Sequence, residues 1–83
     1  MMKNFIEMVN VRIENGDSLT IGIQYGDFGS FNSIVPDSIS TDRNIHIKGE
    51  WLDMIIPKIC EISYDEFEEE YIVKYDDITI YFS

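Results

Sequence analysis

An 83-residue chain that is 45% hydrophobic and 13% aromatic has the composition of one small globular domain, which we expect to occupy residues 1–83. Its 16 acidic against 6 basic residues give a net charge of −10, which disfavours direct binding to nucleic acid or to anionic membranes. The single cysteine, Cys60, excludes an internal disulfide and is typical of a reducing compartment, so we expect a cytoplasmic protein.

The first two segments predict an N-terminal β-hairpin. Apolar residues occupy one parity from Phe5 to Ile13, and the segment from Leu19 to Tyr25 alternates in the same way. A three-residue loop of Glu14-Asn15-Gly16 would pair Val11 with Leu19. Because directly paired residues lie on the same face of a sheet, this loop keeps the apolar residues of both segments on one face. The same loop requires Gly16 to adopt the left-handed conformation of a type I turn with a bulge.

The middle of the chain carries weaker signals. Residues 26–43 are rich in Gly, Ser, Asn and Asp, and we expect irregular chain there with one short strand around Phe31 to Val35. Ile45 and Ile47 predict a further short strand that ends at Gly49.

The period of the apolar pattern changes in the next segment. Leu52, Ile55, Ile56 and Ile59 fall at i, i+3, i+4 and i+7, which is one face of a helix. Because proline removes a backbone donor, this pattern predicts a helix over residues 50–62 that is kinked or divided at Pro57.

The last segments predict a C-terminal hairpin. Apolar residues alternate from Tyr71 to Tyr75 and again, with opposite parity, from Ile78 to Phe82. A two-residue turn at Asp76-Asp77 brings both sets to one face. The predicted pairs are Tyr75 with Ile78, Val73 with Ile80, and Tyr71 with Phe82. The fold class that follows is α+β, a small domain of mostly antiparallel sheet with two hairpins and one helix packed on it.

Half of the acidic residues lie in a short stretch near the C-terminus, with Lys74 as the only base among them. They are Glu61, Asp65, Glu66, Glu68, Glu69, Glu70, Asp76 and Asp77. Two conformations of residues 64–70 are open. In a strand the even-numbered glutamates share one face about 6.6 Å apart, a spacing comparable to that of neighbouring phosphates. In a helical turn capped by Ser63 they splay outward. Both conformations bury Phe67 and Tyr71.

No catalytic, cofactor-binding or metal-binding motif stands out. His46 lies between two isoleucines and is expected to be an ordinary sheet residue, while Cys60 is expected to be a buried apolar one. A nucleophilic pair of these two would need a third group to orient it. The glutamate run lacks the turn glycine and the spaced ligands of a calcium loop. Trp51 is expected to anchor the core. We therefore expect no enzyme, no cofactor and no metal.

Two sets of residues are candidates for a partner-binding surface. A dense acidic surface favours docking to a basic protein. Runs of charged residues are, however, also common on solvent-exposed edge strands, where they prevent aggregation. Aromatic residues in a polar loop suit the apolar anchor of an interface, although they also close the ends of sheets. The candidate residues are Asp65, Glu66, Glu68, Glu69, Glu70, Asp76 and Asp77, together with Phe28 and Phe31.

These features favour a small acidic, non-enzymatic inhibitor that occludes a basic, nucleic-acid-binding surface of another protein, as nucleic-acid mimics of phages and mobile elements do. The partner would be a nuclease, a defence complex or a toxin. An immunity protein or antitoxin is the nearest alternative. A small structural or assembly subunit is a second alternative, which exposed edge strands and homo-oligomerisation, for example a homodimer, would support.

Overall fold

The computed structural model describes residues 1–83 and contains one helix and eight strands. The helix is α1 (Met2–Asn15). The strands are β1 (Leu19–Tyr25), β2 (Phe28–Ile34), β3 (Pro36–Ser40), β4 (Asn44–Gly49), β5 (Asp53–Pro57), β6 (Glu61–Asp65), β7 (Glu70–Tyr75) and β8 (Ile78–Phe82). They form a five-stranded antiparallel sheet in the order β2-β1-β8-β7-β6 and a three-stranded antiparallel sheet in the order β3-β4-β5. The predicted α+β class, mostly sheet, is confirmed.

The N-terminal segment is a helix, so the predicted N-terminal hairpin is wrong. Phe5 and Val9 are fully buried and lie one helical turn apart, whereas Val11 is 51% exposed. The alternation of odd residues coexists with a helical i, i+4 pattern, and packing against the core selects the helix. Gly16 does adopt the left-handed conformation (φ 66°), but it ends α1 rather than closing a hairpin. The 14-residue helix is not long and apolar enough to cross a membrane.

The five-stranded sheet contains the C-terminal hairpin in the predicted register. Tyr75 pairs with Ile78 and Val73 with Ile80, around a turn in which Asp76 has a φ of 50°. β1, which was predicted as a strand, pairs with β8 on one side and with β2 on the other. Its inner residues Leu19 and Ile21 are buried.

Residues 26–43 are more regular than predicted. β1 and β2 form a hairpin around Gly26-Asp27, and Gly26 takes the positive φ of 57° that such turns require at their first central position. β3 follows β2 after a single residue, Val35. The low apolar content misled the prediction, because β2 lies at the edge of its sheet and buries little.

The predicted helix over residues 50–62 is also wrong. The segment forms β5, a bend, and the start of β6, and in β5 burial alternates with a period of two because Met54 and Ile56 face the core. Ile55 is 55% exposed on the opposite face. Pro57 ends β5, where the loss of a ladder donor is tolerated.

The core lies where α1 and both sheets meet. Eleven buried apolar side chains form one cluster. Phe5 of α1 packs edge-on against Phe82 and Tyr71 of the five-stranded sheet, with ring centroids 4.8 and 5.8 Å apart. The strand Ile45–Ile47, predicted correctly, contributes two fully buried isoleucines from the three-stranded sheet. Because the core takes one face of each sheet, the opposite faces and the turns are left to solvent.

Candidate functional site

The β6–β7 turn carries the densest acidic surface of the molecule. We call residues 65–70 the acidic tip. Oδ1 of Asp65 accepts hydrogen bonds from the backbone N–H groups of Phe67 (2.9 Å) and Glu68 (3.2 Å). Glu69 adopts a left-handed conformation (φ 54°), and the pairing of Asp65 with Glu70 closes the turn. The side chain of Asp65 therefore holds the turn in one conformation, as such side chains do in Asx turns.

This geometry differs from both predicted conformations of residues 64–70. The segment is neither a continuous strand nor a helical turn capped by Ser63, because β6 continues to Asp65 and β7 begins at Glu70. The glutamates consequently do not form a ladder with a regular, phosphate-like spacing. The local signal for this turn was Asp65, whose carboxylate reaches the N–H groups two and three residues ahead.

Phe67 is the residue of the acidic tip that sequence reasoning placed wrongly. It was predicted to face the core, but it is 95% exposed at the apex of the turn. Tyr71, predicted to be buried with it, lies partly buried against the core. Its ring packs against the ring of Tyr64 in a tilted arrangement, with ring centroids 4.8 Å apart. The tip therefore presents one large apolar side chain to solvent between Glu66 and Glu68.

The carboxylates of the acidic tip form no salt bridge within the molecule. The one salt bridge in the molecule joins His46 and Asp53, on the three-stranded sheet. Glu66, Glu68 and Glu69 are exposed, while Asp65 and Glu70 are half-buried. Burial, followed by the nearby charges of Glu68 and Asp65, raises the pKa of the Glu70 carboxyl above its ordinary value. The tip thus concentrates unneutralised, mutually repelling charges.

Asp76 and Asp77 do not belong to this cluster, contrary to the prediction that they lie near it. They form the turn at the other end of β7, where Asp76 is six residues beyond Glu70 and about 20 Å away at the usual strand rise. Asp76 acts locally, because it contributes, after burial, to the raised pKa of the Tyr75 hydroxyl. The structure brings together Asp65 to Glu70 and leaves these two aspartates apart.

Phe28 and Phe31 lie on opposite faces of edge strand β2. They are 78% and 74% exposed. The ring of Phe31 covers Gly22 on the neighbouring strand, where an added Cβ would lie 3.1 Å from the ring. Phe31 faces solvent on the outer side of the sheet, in the same row as Tyr81 of β8, since both are opposite Gly22.

An open groove of about 560 Å³ runs beside these aromatics. Its lining includes Phe28, Phe31, Gly22, Tyr81 and, at one side, Glu70. The hydroxyl of Tyr81 donates a long hydrogen bond of 3.4 Å to Gln24. Sequence analysis missed Gly22 and Tyr81, because only the pairing of β1 with both β2 and β8 places them in one row.

The other residues singled out in the sequence, His46, Cys60 and Trp51, lie outside the acidic tip. His46 hydrogen bonds through Nε2 to the Asp53 carboxylate, and this hydrogen bond is the main cause of a lowered Asp53 pKa. Cys60 is half-buried rather than fully buried, and burial raises the pKa of its thiol. No three His, Cys, Asp or Glu side chains lie close enough together to hold a metal ion. Trp51, expected in the core, is 87% exposed in the β4–β5 turn.

Comparisons with known proteins find no matching family model, no matching curated protein and no matching solved structure.

Proposed function

We propose that this protein is a non-enzymatic inhibitor that docks its acidic tip onto a basic, nucleic-acid-binding surface of a partner protein and occludes it. The proposal rests on one observation. An ordered turn surrounds the 95% exposed Phe67 with five carboxylates, none of which forms a salt bridge within the molecule. An exposed apolar anchor within a charged rim is the arrangement typical of energetic hot spots in interfaces.

The conformation of the tip favours binding because little ordering remains to be done. The hydrogen bonds accepted by Asp65 fix the turn before a partner arrives, so association does not have to restrict this segment of backbone. Lysine or arginine side chains of the partner would also offset the negative charges of Glu68 and Asp65, which add to the effect of burial in raising the pKa of Glu70. Both effects favour the bound state without any change of fold.

The chemistry of the partner follows from the charge of the tip. A surface that holds phosphates presents clustered Lys and Arg side chains, and these are the groups that Glu66, Glu68 and Glu69 are free to pair with. Nucleases, defence complexes and nuclease toxins carry such surfaces, and in the last case the protein would act as an immunity protein. We place this activity in the cytoplasm, where a half-buried thiol without a disulfide partner is ordinary.

Affinity capture with matched variants tests the proposal. The wild-type chain is compared with a variant carrying Glu66, Glu68 and Glu69→Gln and with Phe67→Ala. A control carrying Asp37→Asn, Asp42→Asn and Glu50→Gln has the same charge as the glutamine variant, with its exposed substitutions outside the tip. We expect wild type and control to retain the same basic protein and both tip variants to lose it.

Two further measurements identify the surface that is bound. Added DNA or RNA should displace the captured protein, because it competes for the same basic groups. Affinity should fall about 100-fold between roughly 50 and 500 mM salt, as charge-dominated complexes do. Equal capture by all four chains, or binding indifferent to both nucleic acid and salt, would contradict the proposal.

A further inference from the structure

The free edge of β2 differs from every other sheet edge in the molecule. β2 lies at the end of the five-stranded sheet, and its sequence, Phe-Gly-Ser-Phe-Asn-Ser-Ile, contains no charged residue. All of its residues except Ile34 are exposed. An unprotected edge of this length presents a row of unpaired backbone groups to any strand that can pair with it.

The other three edges carry the features that usually prevent such pairing. β6 begins and ends with the carboxylates of Glu61 and Asp65. β5 begins with Asp53 and ends with Pro57. β3 begins with Pro36, and its pairing shifts register immediately afterwards. Charges, prolines and bulges are the standard means of blunting an edge, and β2 lacks all of them.

The β1–β2 hairpin determines which backbone groups of β2 face outward. Its turn has two residues, so the flanking Tyr25 and Phe28 form a hydrogen-bonded pair and such pairs then recur at every second position. The residues between them, Gly29, Phe31 and Ser33, consequently direct their N–H and C=O groups toward the free edge. These residues supply the backbone donors and acceptors for an added strand.

The distribution of charge indicates what the added strand is. β1, β2 and β8 contain no charged residue, whereas the acidic tip joins β7 and β6, which lie three and four strands from β2, about 14 and 19 Å at the usual strand spacing. Both separations exceed the roughly 10 Å over which charges act at 0.1 M salt. A basic strand would find beside β2 only the carboxylate of Asp27, in the turn before the strand, and a second copy of this chain could approach without bringing the two acidic tips together.

We propose that β2 pairs antiparallel with β2 of a second copy, joining the two five-stranded sheets into one continuous sheet across a twofold axis. An axis at Phe31, the central residue of the strand, opposes Gly29 to Ser33 of the other copy. Every outward N–H then meets an outward C=O. The same register opposes Phe28 to Ile34, which gives the 78% exposed Phe28 ring an apolar neighbour. The turn carboxylate of Asp27 falls opposite the uncharged Val35.

Amide hydrogen exchange on the wild-type chain tests this pairing directly. Gly29, Phe31 and Ser33 should exchange slowly at high protein concentration and faster on dilution, in parallel with a change from twice the chain mass to the single mass in sedimentation. If these amides exchange as freely as turn amides, and the mass stays that of one chain up to about 1 mM, the proposal is overturned.

A proline substitution separates edge pairing from folding. The N–H of Ser33 is directed outward, so Ser33→Pro removes a donor to the second copy and none to β1. Ser33→Ala is the matched control, since both variants lose the hydroxyl that hydrogen bonds Thr20. We expect Ser33→Pro to weaken dimerisation at least about tenfold and Ser33→Ala to leave it nearly unchanged. Dimerisation that survives in a folded Ser33→Pro chain would overturn the proposal.

Salt dependence distinguishes this interface from the acidic tip. Because β2 carries no charge while each copy carries a net charge of −10, added salt should leave dimerisation unchanged or strengthen it over the range that abolishes partner capture. A dimer that dissociates as salt rises would mean that charged residues outside β2 hold it together, and it would overturn the assignment to this edge.

Discussion

At the level of single residues, Glu70 illustrates how burial of a carboxyl group and neighbouring negative charges destabilise the folded state. Burial, and then the charges of Glu68 and Asp65, raise the pKa of Glu70 above its ordinary value of 4.5. Between pH 4.5 and the raised pKa the folded state binds more protons than the unfolded state, so the free energy of unfolding falls as pH rises through that window. Above the raised pKa the destabilisation is fully present.

Glu70→Gln is therefore expected to stabilise the protein at pH 7, because the amide removes the charge and keeps the shape of the side chain. The gain should vanish well below pH 4.5, where Glu70 is protonated in both states. Urea unfolding at the two pH values measures the difference. Glu66→Gln, an exposed substitution in the same tip, is the control. A gain of equal size at both pH values would show that charge is not its cause.

At the scale of elements, α1 illustrates how one segment can carry two periodicities. Phe5 and Val9 satisfy both an alternating pattern and a helical one, whereas Val11 satisfies only the alternating one. In the helix Val9 is fully buried and Val11 is 51% exposed. The two valines lie on different sides of α1 although they would lie on the same side of a strand.

Substitution of the two valines distinguishes the helix from the predicted hairpin. Val9→Ala should reduce the free energy of unfolding by about 2 kcal/mol, because it removes buried methyl groups from the core. Val11→Ala should change it by less than about 0.5 kcal/mol, as exposed substitutions usually do. Denaturant unfolding of both variants measures the contrast. Equal losses would place both side chains on one buried face and contradict the helix.

At the scale of the whole molecule, repulsion between like charges opposes folding. The net charge is −10 with His46 counted as neutral, and no lysine or arginine side chain forms a salt bridge. The acidic residues are also unevenly distributed, because the tip is crowded while β1, β2 and β8 carry no charge. Added salt should relieve more repulsion than attraction.

The unfolding temperature should therefore rise when NaCl is increased from about 20 to 500 mM. A relief of about 1 kcal/mol corresponds to roughly 4–8 °C for a domain of this size. The variant carrying Glu66, Glu68 and Glu69→Gln should show a smaller rise, because it starts with less repulsion in the tip. An unfolding temperature that stays constant or falls as salt is added would show that repulsion between the acidic residues does not destabilise the folded state.

The candidate site was only partly predictable. The acidic residues and the two β2 aromatics follow from the amino-acid sequence, since charge and aromatic content are visible in it. The exposure of Phe67 was not predictable from its neighbours, because a lone aromatic among acids is buried or exposed according to whether the chain turns there. The distance between the acidic tip and Asp76-Asp77 likewise depends on β7 running straight between them.

Features that depend on local geometry follow from the amino-acid sequence without knowledge of the fold. The parity of two apolar runs and a two-residue turn defined the register of the C-terminal hairpin, because only one loop length brings both runs to one face. The strands of Leu19–Tyr25 and Ile45–Ile47, and the left-handed Gly16, also follow from nearby residues.

Where a segment is compatible with two conformations of similar local quality, packing against the rest of the molecule selects one of them. The N-terminal segment and residues 50–62 each fit a helical and an alternating pattern, and the core selected a helix for the first and strands for the second. Strand order likewise placed an uncharged strand at one edge of the sheet and the acidic tip at the other. Burial of apolar surface is a property of the assembled core, so it can override a local pattern that no single segment contradicts.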